Sequence, residues 1–194
     1  MELPNKKYNI IYADPAWWFS HGGVYQDNGR PYRKTSDQYP LMKTEEICKI
    51  PVKEISADTC VLFLWTTDGH LPEALQVMDA WGFKYSTIGF YWVKKTNRWN
   101  TCYNVGCWTM KSVEMCLMGI KGNPLKFKKK RNVKQLVEAV RKRHSEKPAE
   151  VRNRIVDLFG DLPRIELFAR DEADGWDSWG NELSETVQNH IVEG

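Results

Sequence analysis

The sequence has no apolar run approaching the roughly 20 residues that a helix needs to cross a bilayer, although 42% of its 194 residues are hydrophobic. The polar N-terminus MELPNKKYN has none of the apolar core of a secretory signal. Cysteine is scarce: Cys48, Cys60, Cys102, Cys107 and Cys116 are odd in number and contain no C-x-x-C pair. A disulfide framework and a thiolate zinc site are therefore not expected, and Cys60 and Cys116, inside apolar runs, read as small core residues. Four scattered histidines offer no metal site either. No G-x-G-x-x-G follows any strand-like run, which removes a dinucleotide-binding oxidoreductase. Repeats and low-complexity linkers are also absent. What remains is a cytoplasmic, metal-free, single-domain protein.

What the chain does have is aromatic mass and an uneven charge. Its nine tryptophans exceed what a core of this size needs, so several are expected to face a ligand or interface. The net charge is only +3. Between Lys121 and Lys147, however, eleven Lys or Arg residues meet two acids, Glu138 and Glu146, a surplus of nine that leaves −6 for the remainder. That asymmetry points to a polyanion, most simply nucleic acid.

Tyr8–Ala13 and Cys60–Trp65 are continuous apolar runs, the pattern of strands buried on both faces. Leu71 to Phe83 reads as a helix with Leu71, Leu75, Met78 and Trp81 on one face and Gly82 at its end. Tyr85–Lys94 and Ser112–Ile120 are strand-like. Pro148 opens a second helix with Val151, Ile155 and Leu158 on one face, and Arg164–Ala169 closes as a strand. The polar stretch Ser20–Gln38 is long enough to be a functional loop. Strands alternating with helices predict an α/β domain with a mostly parallel sheet. Such sheets bind ligands beyond the carboxyl ends of their strands. Three such ends carry unusual chemistry: Asp14-Pro15-Ala16-Trp17, Trp65-Thr66-Thr67-Asp68 and Phe168-Ala169-Arg170-Asp171.

In the first of these, Pro15 restricts Asp14 to an extended conformation. The Asp14 carboxylate and the Pro15 carbonyl are then two acceptors suited to one exocyclic NH₂ group, and Trp17 offers a face on which a base can stack. The plainer alternative is an Asp-Pro turn with its tryptophans packed inward. An adenine amine is a weak nucleophile, because its lone pair is delocalised into the ring. Accepting both of its protons favours the tetrahedral nitrogen that attacks an electrophile, and the Asp14 charge stabilises the positive charge that develops. Trp18 is expected to pack structurally behind the loop.

Two further segments suit nucleic acid. Lys94 to Trp108 interleaves Lys94, Lys95 and Arg98 with Trp99, Tyr103 and Trp108, the mixture of cations and aromatics found where unpaired or flipped bases are held. Lys126 to Arg131 (KFKKKR) adds Lys128, Lys129, Lys130 and Arg131 as phosphate contacts.

The chain resembles the MT-A70 family of adenine N(6)-methyltransferases, in particular its compact bacterial and phage members. Asp14-Pro15-Ala16-Trp17 matches the family's Asp-Pro-Pro-Trp hallmark. Tyr39-Pro40, Phe63–Trp65, Trp81–Phe83, Trp92–Lys94, Lys121–Pro124, Arg143–Pro148, Glu166–Arg170 and Gly175–Glu182 follow in the family's order. The resemblance implies a Rossmann-like methyltransferase fold in permuted, beta-class motif order. Residues 1–194 would form one catalytic domain without a separate target-recognition domain. It implies S-adenosyl-L-methionine as cofactor and the exocyclic amine of adenine as acceptor, in DNA or alternatively in RNA. Asp14, Pro15 and Trp17 would be catalytic. Asp14, Lys94, Glu166, Phe168, Arg170, Asn181 and Glu182 would line the cofactor pocket. Tyr39 and His144 would lie near the substrate, with Ser145 and Lys147 in the same motif as His144. A buried structural pair between Glu166 and Arg170 is the alternative for those two residues. The protein would act as a monomer or homodimer, with a related protein subunit as a possible companion.

Ala16 departs from the hallmark by replacing its second proline, which is expected to loosen the loop. A non-catalytic, nucleic-acid-binding relative is the rival reading. Asp14, Pro15 and Trp17 are intact, which favours the enzyme.

Overall fold

The run Tyr8–Ala13 forms β1: alternation sends Ile11 and Ala13 into one core and Ile10 and Tyr12 into another, and a register irregularity between Tyr8 and Ile10 puts Tyr8 with the first. Strand β2, Ser56–Thr66, does the same with Cys60, Leu62 and Leu64 on one side and Val61, Phe63 and Trp65 on the other. Both faces of the sheet centre are thus buried, as continuous apolar runs require. The computed structural model describes residues 2–18, 41–106, 108–142, 146–181 and 183.

The remaining elements are α1 (Thr44–Lys49), α2 (Val52–Ile55), α3 (Leu71–Ala80), β3 (Lys84–Lys95), β4 (Val113–Lys121), β5 (Leu136–Val140), α4 (Ala149–Phe159), β6 (Arg164–Leu167) and β7 (Asp177–Trp179). Seven strands form one sheet in the order β5-β3-β4-β2-β1-β6-β7. All neighbours are parallel except β4, which is antiparallel to both β2 and β3. The α3 crossover places β3 one strand beyond β2, and the chain turns back after β3 to fill that gap with β4. Ile47, Val52, Ile55, Ala74, Val77 and Met78 cover one face from α1–α3, while Val151, Ile155 and Phe159 of α4 cover the other. This is an α/β layered fold of the Rossmann-like methyltransferase kind. No helix among the described residues is long and apolar enough to cross a membrane.

The expected helix faces need correction by one residue each. Leu75 is 37% exposed, and Ala74, Val77 and Met78 are the buried side of α3. In α4, Phe159 is buried and Leu158 only partly so. At Gly82, φ is +81°, and the Phe83 N–H donates to the Met78 carbonyl at 2.9 Å. That left-handed turn closes α3 and suits glycine.

Because six strands run in one direction, their carboxyl ends share a rim, and the start of the antiparallel β4 joins them there. Asp14, Thr67, Lys95, Arg141, Phe168 and Gly180 lie at this rim. Val113 and Glu114 reach it from β4.

Candidate active site

The Asp14 N–H donates to the Leu167 carbonyl at 3.4 Å, extending the β1–β6 ladder by one residue. The chain then leaves the sheet. The Pro15 carbonyl accepts the Trp17 N–H at 3.0 Å, which engages one of its two lone pairs. Met42 donates its N–H to the Ala16 carbonyl at 2.8 Å and accepts the Trp18 N–H at 3.0 Å. This short parallel bridge pins the loop at the position where Ala16 lacks the constraint of proline.

The two tryptophans exchange the places expected of them. Trp17 is 7% exposed, donates its indole N–H to the Trp65 carbonyl at 3.0 Å, and stacks on His70 with centroids 5.8 Å apart. Trp18 is 47% exposed. The indole N–H accounts for the exchange: inside, Trp17 has a backbone acceptor, which offsets the cost of burying its N–H. His70 completes the mount, with Nδ1 3.2 Å from Thr67 Oγ1 and Nε2 3.2 Å from the Trp18 carbonyl.

Above the motif sits a chain of alternating charges. Lys147 Nζ lies 2.6 Å from Asp14 Oδ2 and 3.4 Å from Glu114 Oε2, with its side chain only 7% exposed. Glu114 also pairs with Lys94. The Lys147 ammonium lies 5.5 Å from the Trp65 ring centroid. Burial pushes the Asp14 carboxyl above the ordinary carboxylate range, although Lys147 opposes the rise. For Lys147, burial works against the charge, but Asp14 and Glu114 outweigh it and hold the ammonium above the usual lysine value. Burial likewise works against the Glu114 charge, yet Lys147 and Lys94 prevail and keep its carboxyl below its ordinary value. Of the two carboxylates in this cluster, Asp14 is thus more readily protonated than Glu114.

Beside it, β6 and β7 end together, with Leu167 and Trp179 in register. Phe168 adopts φ +63°, a strained conformation for a residue with a side chain, and its ring meets Trp179 edge-on at 5.6 Å. A Cβ at Gly180 would fall 2.1 Å from the Ala169 carbonyl oxygen, so only glycine lets these two segments approach as they do. Asn181 follows on the exposed rim. Glu166 lies within β6, one residue before its end. Its carboxylate accepts from Arg152 Nη1 at 2.9 and 3.2 Å, and burial pushes its carboxyl up to about 7. The Glu166–Arg170 pair weighed from sequence is not formed: Arg152 of α4 takes the acid, and the charge of Arg170 acts on Asp14.

Lys95 pairs with Glu138 at 2.7 Å. Past it, Arg98, Trp99, Tyr103 and the 97% exposed Trp108 stand out from the β3–β4 connection on the carboxyl rim. Lys128, Lys129, Lys130 and Arg131 do not join them. Lys129 donates its backbone N–H to Leu158 at 2.8 Å, and Lys130 pairs with Asp157, both at the C-terminal end of α4. Helix α4 runs against the strands, so this basic run lies at the amino rim, about 20 Å from Asp14 by the rise of β1. Tyr39, His144, Ser145 and Glu182 lie outside the described residues.

Glu114, Arg152 and His70 escape notice in the sequence. Only Glu114 leaves a signal, as a lone acid in the otherwise apolar run SVEMCLMGI. Arg152 and His70 look like ordinary surface polar residues until the layers close over them.

A model of the MT-A70 family matches residues 8–182, which include the whole charge cluster. The chain belongs to the MT-A70 family. With that membership, adenine N(6)-methylation chemistry stands alongside the fold. The chain is similar to type II methyltransferase M.MunI of a Mycoplasma species, with 36% identity over 94% of this chain and 80% of that protein. It also resembles a probable N(6)-adenosine-methyltransferase MT-A70-like protein of rice, with 29% identity over 92% of this chain. The human N(6)-adenosine-methyltransferase catalytic subunit METTL3 is 28% identical over 91% of this chain. The chain spans only 23% and 28% of the length of these two larger relatives.

Proposed function

We propose that this family member is a single-domain DNA adenine N(6)-methyltransferase that uses S-adenosyl-L-methionine. The observation that carries the reading is Asp14 at the carboxyl end of β1, its side chain only 18% exposed and ion-paired to Lys147 at 2.6 Å. DNA is favoured over RNA because the match to the type II methyltransferase covers 80% of that protein, against about a quarter of the adenosine methyltransferases.

The rim carries carboxylates at Asp14 and Glu114 and cations at Lys94, Lys147 and Arg170. Such a set suits a group with its own ammonium and carboxylate, so the residues fit the cofactor. When bound, S-adenosyl-L-methionine supplies an electrophilic methyl group. Asp14, Lys94, Phe168, Arg170 and Asn181 would hold it, and Glu166 would support them through Arg152. Glu182 belongs to the same cofactor set by the family resemblance.

Asp14 Oδ2 is taken by Lys147, so Oδ1 and the second lone pair of the Pro15 carbonyl accept the two N–H bonds of the target amine. Methylation would require the amine to give up one proton. Asp14, raised by burial, is suited to receive that proton. Lys147 keeps Asp14 ionised beforehand. Trp17 fixes the loop from inside, while Trp18, with Trp99 and Tyr39, is available to stack on bases. Lys95, Arg98 and His144 complete the nucleic-acid side. On duplex DNA the target base is first extruded from the stack.

Labelled methyl transfer to unmethylated DNA and to RNA, with product nucleosides identified, tests the reading. N(6)-methyladenine is expected in the DNA pool. Its absence from both pools, with the protein folded and binding the cofactor, overturns the enzyme. Product confined to RNA overturns the choice of substrate.

A further inference from the structure

Strand β5 is the outer strand of the sheet, paired only to β3. Cations stand at both its ends. Arg141 and Lys142 follow it at the Asp14 rim, and Lys128, Arg131 and Lys134 precede it toward the opposite rim, all five exposed. Lys128, Arg131 and Lys134 have no acidic partner among the described residues, whereas Lys130 pairs with Asp157 and the stem of Lys129 packs on Gly160. Lys142 has only a surface pair with Glu146 at 3.3 Å, a contact of little energetic weight. Uncompensated like charges this close repel one another and add nothing to the fold; their field attracts a polyanion. The edge itself is not open to another strand, because Arg154 Nη1 donates to the Lys134 and Leu136 carbonyls at 2.6 and 2.7 Å. The five residues of β5 span about 17 Å, close to the rise of about five base pairs along a duplex axis.

We propose that the phosphate backbone flanking the target adenine lies along the β5 edge. Arg141 and Lys142 would hold it beside the active site, and Lys128, Arg131 and Lys134 would hold it at the far end. This inference rests on the DNA reading above and adds a second contact region to it.

The test is the salt dependence of binding to a duplex of about 30 base pairs, since each lost phosphate contact lowers the slope of log K against log salt by about 0.9. Lys128→Gln with Arg131→Gln is expected to lower the slope by about 2. The control, Lys49→Gln with Lys53→Gln, removes the same charge from the α1–α2 layer and is expected to leave the slope as it was. Equal slopes for wild type and the Lys128/Arg131 variant overturn the proposal, as does an equal fall in the control. Loss of binding to anionic phospholipid vesicles, with DNA affinity unchanged, would assign these cations to a lipid surface and also overturn it. Binding slopes require no turnover, so a failed methyl-transfer assay and a failed slope measurement remain distinguishable.

Discussion

Lys147 Nζ lies 2.6 Å from Asp14 Oδ2, although 133 residues separate them in the chain. The contact joins the segment before α4 to the end of β1. It places a fixed positive charge beside a buried carboxylate, which makes the ionisation of Asp14 conditional on Lys147.

Replacing Lys147 with Met is therefore expected to move the acid limb of the pH profile of kcat/KM upward. The sign follows from the pair: Lys147 lowers the Asp14 pKa against the effect of burial, so its loss leaves the raising influence unopposed. Activity near pH 7 should fall and recover in part at higher pH. An unshifted acid limb would show that Asp14 is not the group titrating there.

The two tryptophans should separate in a stability measurement. Trp17→Ala removes a buried ring with its hydrogen bond and is expected to destabilise the fold by about 3–5 kcal/mol. Trp18→Ala, at an exposed position, should change stability by less than about 0.5 kcal/mol while raising KM for DNA. Thermal melts and steady-state kinetics on both variants read the contrast directly.

Glu166 makes stability depend on pH. Its folded pKa of about 7 lies above the unfolded carboxyl value of about 4.5. Its favourable contribution is thus fully present below about pH 4.5 and is lost as pH rises through about 7. Glu166→Gln removes this titration. The stability of wild type relative to the variant should decline by on the order of 3 kcal/mol across that window. Denaturant melts of both proteins at matched pH provide the check.

Ala16→Pro should restore the hallmark without loss of turnover, because the Ala16 N–H, the group that proline removes, donates no backbone hydrogen bond among the described residues. A stability gain of about 0.4–1 kcal/mol is expected from the narrower unfolded ensemble. Lower stability together with lower turnover would mean that the backbone at position 16 does not accept proline.

Much of the fold can be read locally. Tyr8–Ala13 and Cys60–Trp65 are apolar at every position, so they had to become central strands, and α3 and α4 were legible from their 3.6-residue spacing and their Gly82 and Pro148 ends. Strands β5 and β7 were not, since Leu136–Val140 and Asp177–Trp179 are short, half-polar and lie at the outer edges of the sheet. Nor could the chain show that β4 runs against its neighbours, because an apolar run carries no direction.

The same division holds at the site. Local chemistry determined that Asp14 and Pro15 stand at a strand end with acceptors to offer, because proline restricts the residue before it wherever it occurs. Which tryptophan turns inward depended on a carbonyl of Trp65, and the partner of Asp14 depended on Lys147 arriving beside β4. The position of Lys128–Arg131 followed from the direction of α4. Tertiary packing alone decides such things: burial and Coulomb interactions act through space, and the intervals of sequence between these partners contain no measure of that distance.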